Sequence, residues 1–143
     1  MKVNLNDVID AIEFADMEIE YYYSIKTEEI LICFDGMING DKNPELEEDM
    51  EENFEDYIRL PNQYDVNEYN MMEEFIENLP EGKTQEKLAD AIRGRGAFRR
   101  FKDMVYDLGL EQKWFRYRDA EYSRIAREWC KENEIEIIEE ESK

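Results

Sequence analysis

Between Ala15 and Met17 the apolar residues change their period, and that change commits the chain to a mixed fold. Upstream, Leu5, Val8, Ile9, Ile12 and Ala15 recur along one helical stripe. Asn4 sits in a capping position and Asp7 in the first turn, so residues 4–16 read as an amphipathic helix. Downstream, Met17, Ile19, Tyr21, Tyr23 and Ile25 alternate with Glu18, Glu20, Tyr22 and Ser24, the period of a strand with one buried face. A polar turn without glycine, Lys26 to Glu28, leads into Ile30, Leu31, Ile32, Cys33 and Phe34, the returning arm of an antiparallel hairpin.

The rest of the chain adds one strand and a run of helices. Asp35-Gly36 and Asn39-Gly40 mark a loop, and residues 45–56 form an acidic helix with a narrow seam of Leu46, Met50 and Phe54. Tyr57 to Leu60, stopped by Pro61, adds a short strand to the same sheet. Helical period returns at 66–79 through Val66, Tyr69, Met72, Phe75, Ile76 and Leu79, until Pro80 and Gly82. Thr84 is placed to cap a helix running to Arg93 that buries Leu88 and Ile92. After Gly94 a second helix begins near Gly96, burying Phe98, Phe101, Val105 and Leu108, and Gly109 closes it. A long helix from Glu111 to about Asn133 presents Phe115, Tyr122, Ile125, Ala126 and Trp129, with Trp114 at its entrance; Ile135, Ile137 and Ile138 offer a last strand. The expectation is a single α+β domain over residues 1–143, with an acidic insert at about 36–55. A small antiparallel sheet of three to four strands packs with a C-terminal helical layer.

Charge is the next constraint. The net charge is −20, but residues 1–82 hold 4 basic and 24 acidic side chains, 83–131 hold 13 and 8, and 132–143 hold 1 and 6. The summed field repels nucleic acid and anionic membranes, so nucleic acid is disfavoured and a membrane partner is not expected. An aromatic share of 13% argues against a disordered acidic chain. With no histidine, histidine-based acid–base and nucleophile systems and the usual histidine metal sites are excluded. Cys33 and Cys130 form no metal-binding or redox spacing, and residues 45–56 do not fit a calcium-loop frame, so no metal or cofactor is expected. Without a signal-like or membrane-length apolar run, the reading is a cytoplasmic protein, monomeric or a small homo-oligomer.

Against that acidic background stands Gly94-Arg95-Gly96-Ala97-Phe98-Arg99-Arg100-Phe101-Lys102-Asp103. Its arginines fall in the first turn of a helix, the positive end of the peptide dipole, where an exposed cation costs up to about 1 kcal/mol. A counter-charge is therefore required: carboxylates of the acidic half, or an external anion. Arg95, Arg99, Arg100, Lys102 and Arg118 are the set that could form a compact positive patch. Gly94-x-Gly96 lacks the third glycine of a dinucleotide loop and follows a helix, not a strand, and no phosphate-loop Gly-Lys-Ser or Gly-Lys-Thr occurs. Lys113-Trp114-Phe115-Arg116-Tyr117-Arg118 interleaves cations with aromatics as single-strand binders do, but helix packing explains the same pattern.

Tyr57-Ile58-Arg59-Leu60-Pro61, Met72-Glu73-Glu74-Phe75-Ile76, the 94–103 segment, Trp114-Phe115 and Glu128-Trp129-Cys130 together resemble the bacterial proteins grouped as uncharacterised protein family 0158. The resemblance runs over nearly the whole chain. It departs at the acidic insert and at Glu28, where a glycine is commoner in the hairpin turn. The family carries no assigned activity, so the resemblance implies no catalytic residues. The expectation is a non-enzymatic protein-binding or adaptor domain acting by charge complementarity through an unidentified protein partner. The alternatives are phosphate or single-stranded nucleic-acid binding through the basic segment, and mimicry of nucleic acid by the acidic half.

Overall fold

Asn4 opens the first helix as the capping rule requires: its side-chain oxygen accepts the Asn6 N–H at 2.9 Å. In the computed structural model, which describes residues 1–16 and 18–138 apart from the side chains of Gln63 and Tyr64, fourteen labelled elements follow. They are β1 (Lys2–Asn4), α1 (Leu5–Phe14), β2 (Ile19–Ser24), β3 (Ile30–Phe34), β4 (Met37–Ile38), α2 (Pro44–Glu52) and β5 (Tyr57–Arg59). Then come α3 (Gln63–Val66), α4 (Glu68–Glu77), α5 (Lys83–Ala91), α6 (Ala97–Asp107), α7 (Glu111–Glu132) and β6 (Glu136–Ile138), while Phe54–Asp56 makes a turn of 3₁₀ helix before β5. Met17, expected at the start of the strand, lies outside the described residues. The expected α+β class, with a four-stranded antiparallel sheet, is what the chain adopts.

Two compact units emerge, residues 1–66 with 122–143 and residues 67–121. In the first, the sheet has strand order β4-β3-β2-β5, all antiparallel. Asp35 and Gly36, both at positive φ, make the tight turn into β4, and Asn39 and Gly40 make a second one just after it. What reads as one loop in the sequence is therefore a hairpin with a two-residue edge strand. Tyr23 of β2 is fully buried: its ring meets Trp129 of α7 edge to face at 6.4 Å, and its hydroxyl donates to the Lys2 carbonyl at 2.7 Å. Trp129 in turn donates its indole N–H to the Arg59 carbonyl of β5 at 3.0 Å. Two aromatic side chains thus tie the sheet to α7 and to β1, each contributing about 1.5–3 kcal/mol by burial.

β1 was not legible in the sequence. It pairs in parallel with β6, Val3 opposite Ile137, as a separate two-stranded sheet. The hairpin turn supports it: Glu28 takes a positive φ of 58° and its carboxylate accepts the Lys2 N–H at 2.7 Å. The residue that departs from the glycine expected there accepts backbone strain and gains a tether to β1. The acidic helix α2 begins with Asn43 as cap and Pro44 at its first position, but it ends at Glu52, so Phe54 leaves the expected seam and is 68% exposed.

Residues 67–121 hold α4, α5, α6 and the first half of α7. Phe75, Phe101 and Trp114 pack edge to face at centroid distances of 6.1, 5.3 and 4.8 Å, a closed aromatic triangle at the centre of this unit. Three sequence expectations are corrected here. Thr84 does not cap α5, whose N-cap is Gly82; the neighbouring Gln85 instead donates its side-chain amide to the Ile76 and Leu79 carbonyls at the end of α4. Phe98 is 38% exposed rather than buried, because it lies at the margin of the stripe formed by Phe101 and Val105. Phe115 is 54% exposed while Trp114 is buried: along α7 the covered positions advance by fours through Trp114, Arg118, Tyr122 and Ala126, which rotates the stripe past Phe115.

Candidate functional site

The end of a helix leaves carbonyl groups without partners, and α5, at nine residues, has few other means of satisfying them. The junction to α6 solves this with one side chain from each neighbouring helix. Tyr69 of α4 donates its hydroxyl to the Ile92 carbonyl at 3.0 Å. Arg100 of α6 folds back over the turn: Nε donates to the Ala91 carbonyl at 2.9 Å, and the two terminal nitrogens donate to the Arg93 and Arg95 carbonyls. Four carbonyls between positions 91 and 95 are closed in this way.

For Arg100, in the first turn of α6, the chain itself supplies the negative partner, as backbone carbonyls and not as an acidic side chain. The Arg100 guanidinium lies at the positive end of one helix and, at the same time, at the negative end of another, whose carbonyl dipoles neutralise it. The glycines make the fold-back possible. Gly94 and Gly96 have φ of 75° and 74°, the left-handed region, and a Cβ on Gly96 would stand 3.0 Å from Nη1 of Arg100. The Gly-x-Gly spacing is thus a docking seat for the chain's own arginine.

The remaining members of the expected patch divide in two. Arg118 forms a part-buried ion pair with Glu68 at 3.1 Å, and Lys102 lies over the Phe98 ring at 4.4 Å. Arg95 and Arg99 are exposed, and neither side chain carries a hydrogen bond or an ion pair among the described residues. Nearby, Arg93 pairs weakly with Asp90 at 3.6 Å, both fully in solvent. Within the aromatic-interleaved segment Trp114 and Tyr117 stack and Tyr117 donates to Glu74 at 3.0 Å, while Lys113, Phe115 and Arg116 are exposed. The corner therefore offers Arg95 and Arg99 on a turn held from behind by Arg100 and anchored by the fully buried Phe101.

Counting the two units separately sharpens the electrostatics. Residues 67–121 carry 12 acidic and 10 basic side chains, net −2, and the other unit carries 26 and 8, net −18. Among the described residues no group of three or more Cys, Asp or Glu is arranged to hold a metal ion, and no helix is long and apolar enough to cross a membrane. Both cysteines are free thiols; burial pushes Cys130 up to about 11, and burial followed by the Glu20 carboxylate raises Cys33. Over residues 1–143 the chain matches the model of the Uncharacterised protein family (UPF0158). No curated protein and no solved structure matches it.

Proposed function

The chain belongs to the uncharacterised protein family UPF0158, and from the corner just described we propose that it is a non-enzymatic protein-binding domain that recognises carboxylates of a partner. One observation carries the reading: of the arginines at this corner, Arg100 is spent on the fold, while the Arg95 and Arg99 side chains are exposed beside it and have no partner among the described residues. Guanidinium forks on a rigid turn lose little freedom on docking and match carboxylates in two-point geometry. The unit's near-neutral balance of −2 leaves local attraction for an anion intact, while the −18 unit would screen out polyanions approaching the molecule as a whole. Free thiols and the acidic composition support a reducing, cytoplasmic setting.

The test is a pull-down comparing the wild-type chain with Arg95→Glu/Arg99→Glu, a variant that spares Arg100. Loss of specifically recovered acidic partners is expected, with the circular dichroism spectrum unchanged. Recovery of the same partners overturns the reading. A second reading, phosphate or single-stranded nucleic acid at the same corner, is favoured by the same two free guanidinium groups. Fluorescence polarisation with short RNA and DNA at low salt separates the two, since phosphate binding must weaken steeply as salt rises.

A further inference from the structure

The first unit contains a groove of about 480 Å³ between the outer face of the sheet and α2. Its floor is apolar. Register places Glu20, Cys33 and Ile38 in one cross-strand row, and Met50 and Phe54 close the row from the α2 side. Its rim is anionic. Glu18 and Glu20 line the β2 side and Glu47 and Glu51 the α2 side, and no lysine or arginine is among the lining residues. Lys26 is committed to Asp49 and Asp56, at 3.5 and 3.3 Å, neither of which lines the groove. Glu20 accepts a hydrogen bond from Tyr22 at 2.7 Å, which holds its carboxylate at the rim, whereas Glu18, Glu47 and Glu51 have no side-chain partner among the described residues.

An occupant must answer three features together: apolar length, positive charge and more than one charge. The carboxylates stand on two opposite walls and do not converge as metal ligands do, so a compact divalent ion is a poor match. Glu18 stands in the bend that leads into β2, two residues before Glu20, so their α-carbons are at most about 7 Å apart. Along α2, Glu47 and Glu51 are one helical turn apart, about 6 Å. A short polymethylene segment between two amines spans either interval, and its methylenes can lie on Met50, Phe54 and Ile38 while the ammonium groups face the rim. We propose that this groove binds a linear aliphatic polyamine. The inference is independent of the arginine corner and of the partner that it engages.

Isothermal titration of the full chain with spermidine tests it. Saturable one-to-one binding is expected, weakened about fivefold to tenfold in Glu47→Gln/Glu51→Gln. Phe54→Ser should also weaken it, since charge alone does not account for the groove. Glu73→Gln/Glu77→Gln, an equal change of charge on α4 away from the lining residues, should leave it within about twofold. Bound spermidine should slow alkylation of Cys33 on the groove floor. Non-saturable binding, equal weakening by the α4 control, undiminished binding in Phe54→Ser, unchanged alkylation of Cys33, equivalent heats from magnesium, or preference for a lysine-rich peptide over spermidine would each overturn the proposal.

Discussion

The arginine corner at positions 93–102 and the groove between the sheet and α2 are both dense in charge of one sign, yet they hold it in opposite ways. At the corner, the central cation is consumed by structure: Arg100 closes three backbone carbonyls and the turn is shaped around it. At the groove, Glu18, Glu47 and Glu51 have no side-chain partner among the described residues, and Lys26 is paired outside the groove lining. A charge that holds a helix end together should cost stability when removed. A charge kept for a ligand should cost little, or its removal should stabilise the chain.

Arg100→Ala therefore carries the largest expected effect. Hydrogen bonds to a charged group contribute about 1.5–3 kcal/mol where shielded, and water can replace part of this at an exposed corner, so a loss of about 1–3 kcal/mol is expected. Arg99→Ala, one position away and with no side-chain partner among the described residues, should stay within about 0.5 kcal/mol. Urea midpoints of the two variants measure the contrast; equal midpoints would mean that the fold-back contributes nothing. Gly96→Ala should fall between them, because it combines a left-handed φ of 74° with a Cβ contact of 3.0 Å to the pinned guanidinium.

That distinction is not visible in the sequence, for a physical reason. Arg99 and Arg100 are adjacent and identical in type, and the acceptors that separate them are main-chain carbonyls, which every residue carries. Periodicity does reveal what depends on periodicity: the Leu5–Val8–Ile12 stripe, the hairpin from Ile19 to Phe34, and the added strand at Tyr57. It misplaces Phe98 and Phe115 because a stripe drifts around a long helix and its margins are settled by the facing surface. The pairing of β1 with β6 joins three-residue strands from opposite ends of the chain, too short to carry a pattern and too distant to carry a turn signal. The groove escapes notice for another reason: among 38 acidic residues, the five that line it, Asp35 at the hairpin turn included, carry no weight until the fold sets them around an apolar floor.

Acid titration probes the carboxylates that are committed within the acidic unit. Asp49 is held below the usual carboxylate range, first by the Tyr57 hydroxyl that donates to it, then by Asn53, with Lys26 adding attraction. Tyr57 is pushed in the other direction, to about 12, by burial and then by Asp49. A carboxyl whose folded pKa lies below its unfolded value contributes stability above the unfolded pKa and loses it as pH falls through the folded one. Stability of the wild type should therefore decline below about pH 4, and Asp49→Asn should flatten that decline while lowering stability at pH 7. Thermal midpoints across pH 2.5–7 check this. An identical acid limb in wild type and variant would place Asp49 among the idle acids.

The smallest effect concerns those idle acids and has the opposite sign. Glu47 and Glu51 are like charges four residues apart on α2, an arrangement that destabilises a helix by about 0.2–0.5 kcal/mol. Glu51 also lies in the last turn, at the negative end of the dipole, so its charge is unfavourable on two counts. Glu51→Gln should raise the urea midpoint by an amount near the limit of measurement at low salt, and the gain should vanish when salt shortens the screening length to a few ångströms. Gln retains the length and the helix propensity of Glu, so the comparison isolates charge. A loss of stability would show that Glu51 is as structurally committed as Arg100, and the contrast between the corner and the groove would fail. A salt-sensitive gain would mean that the chain retains a carboxylate that its own fold is better without.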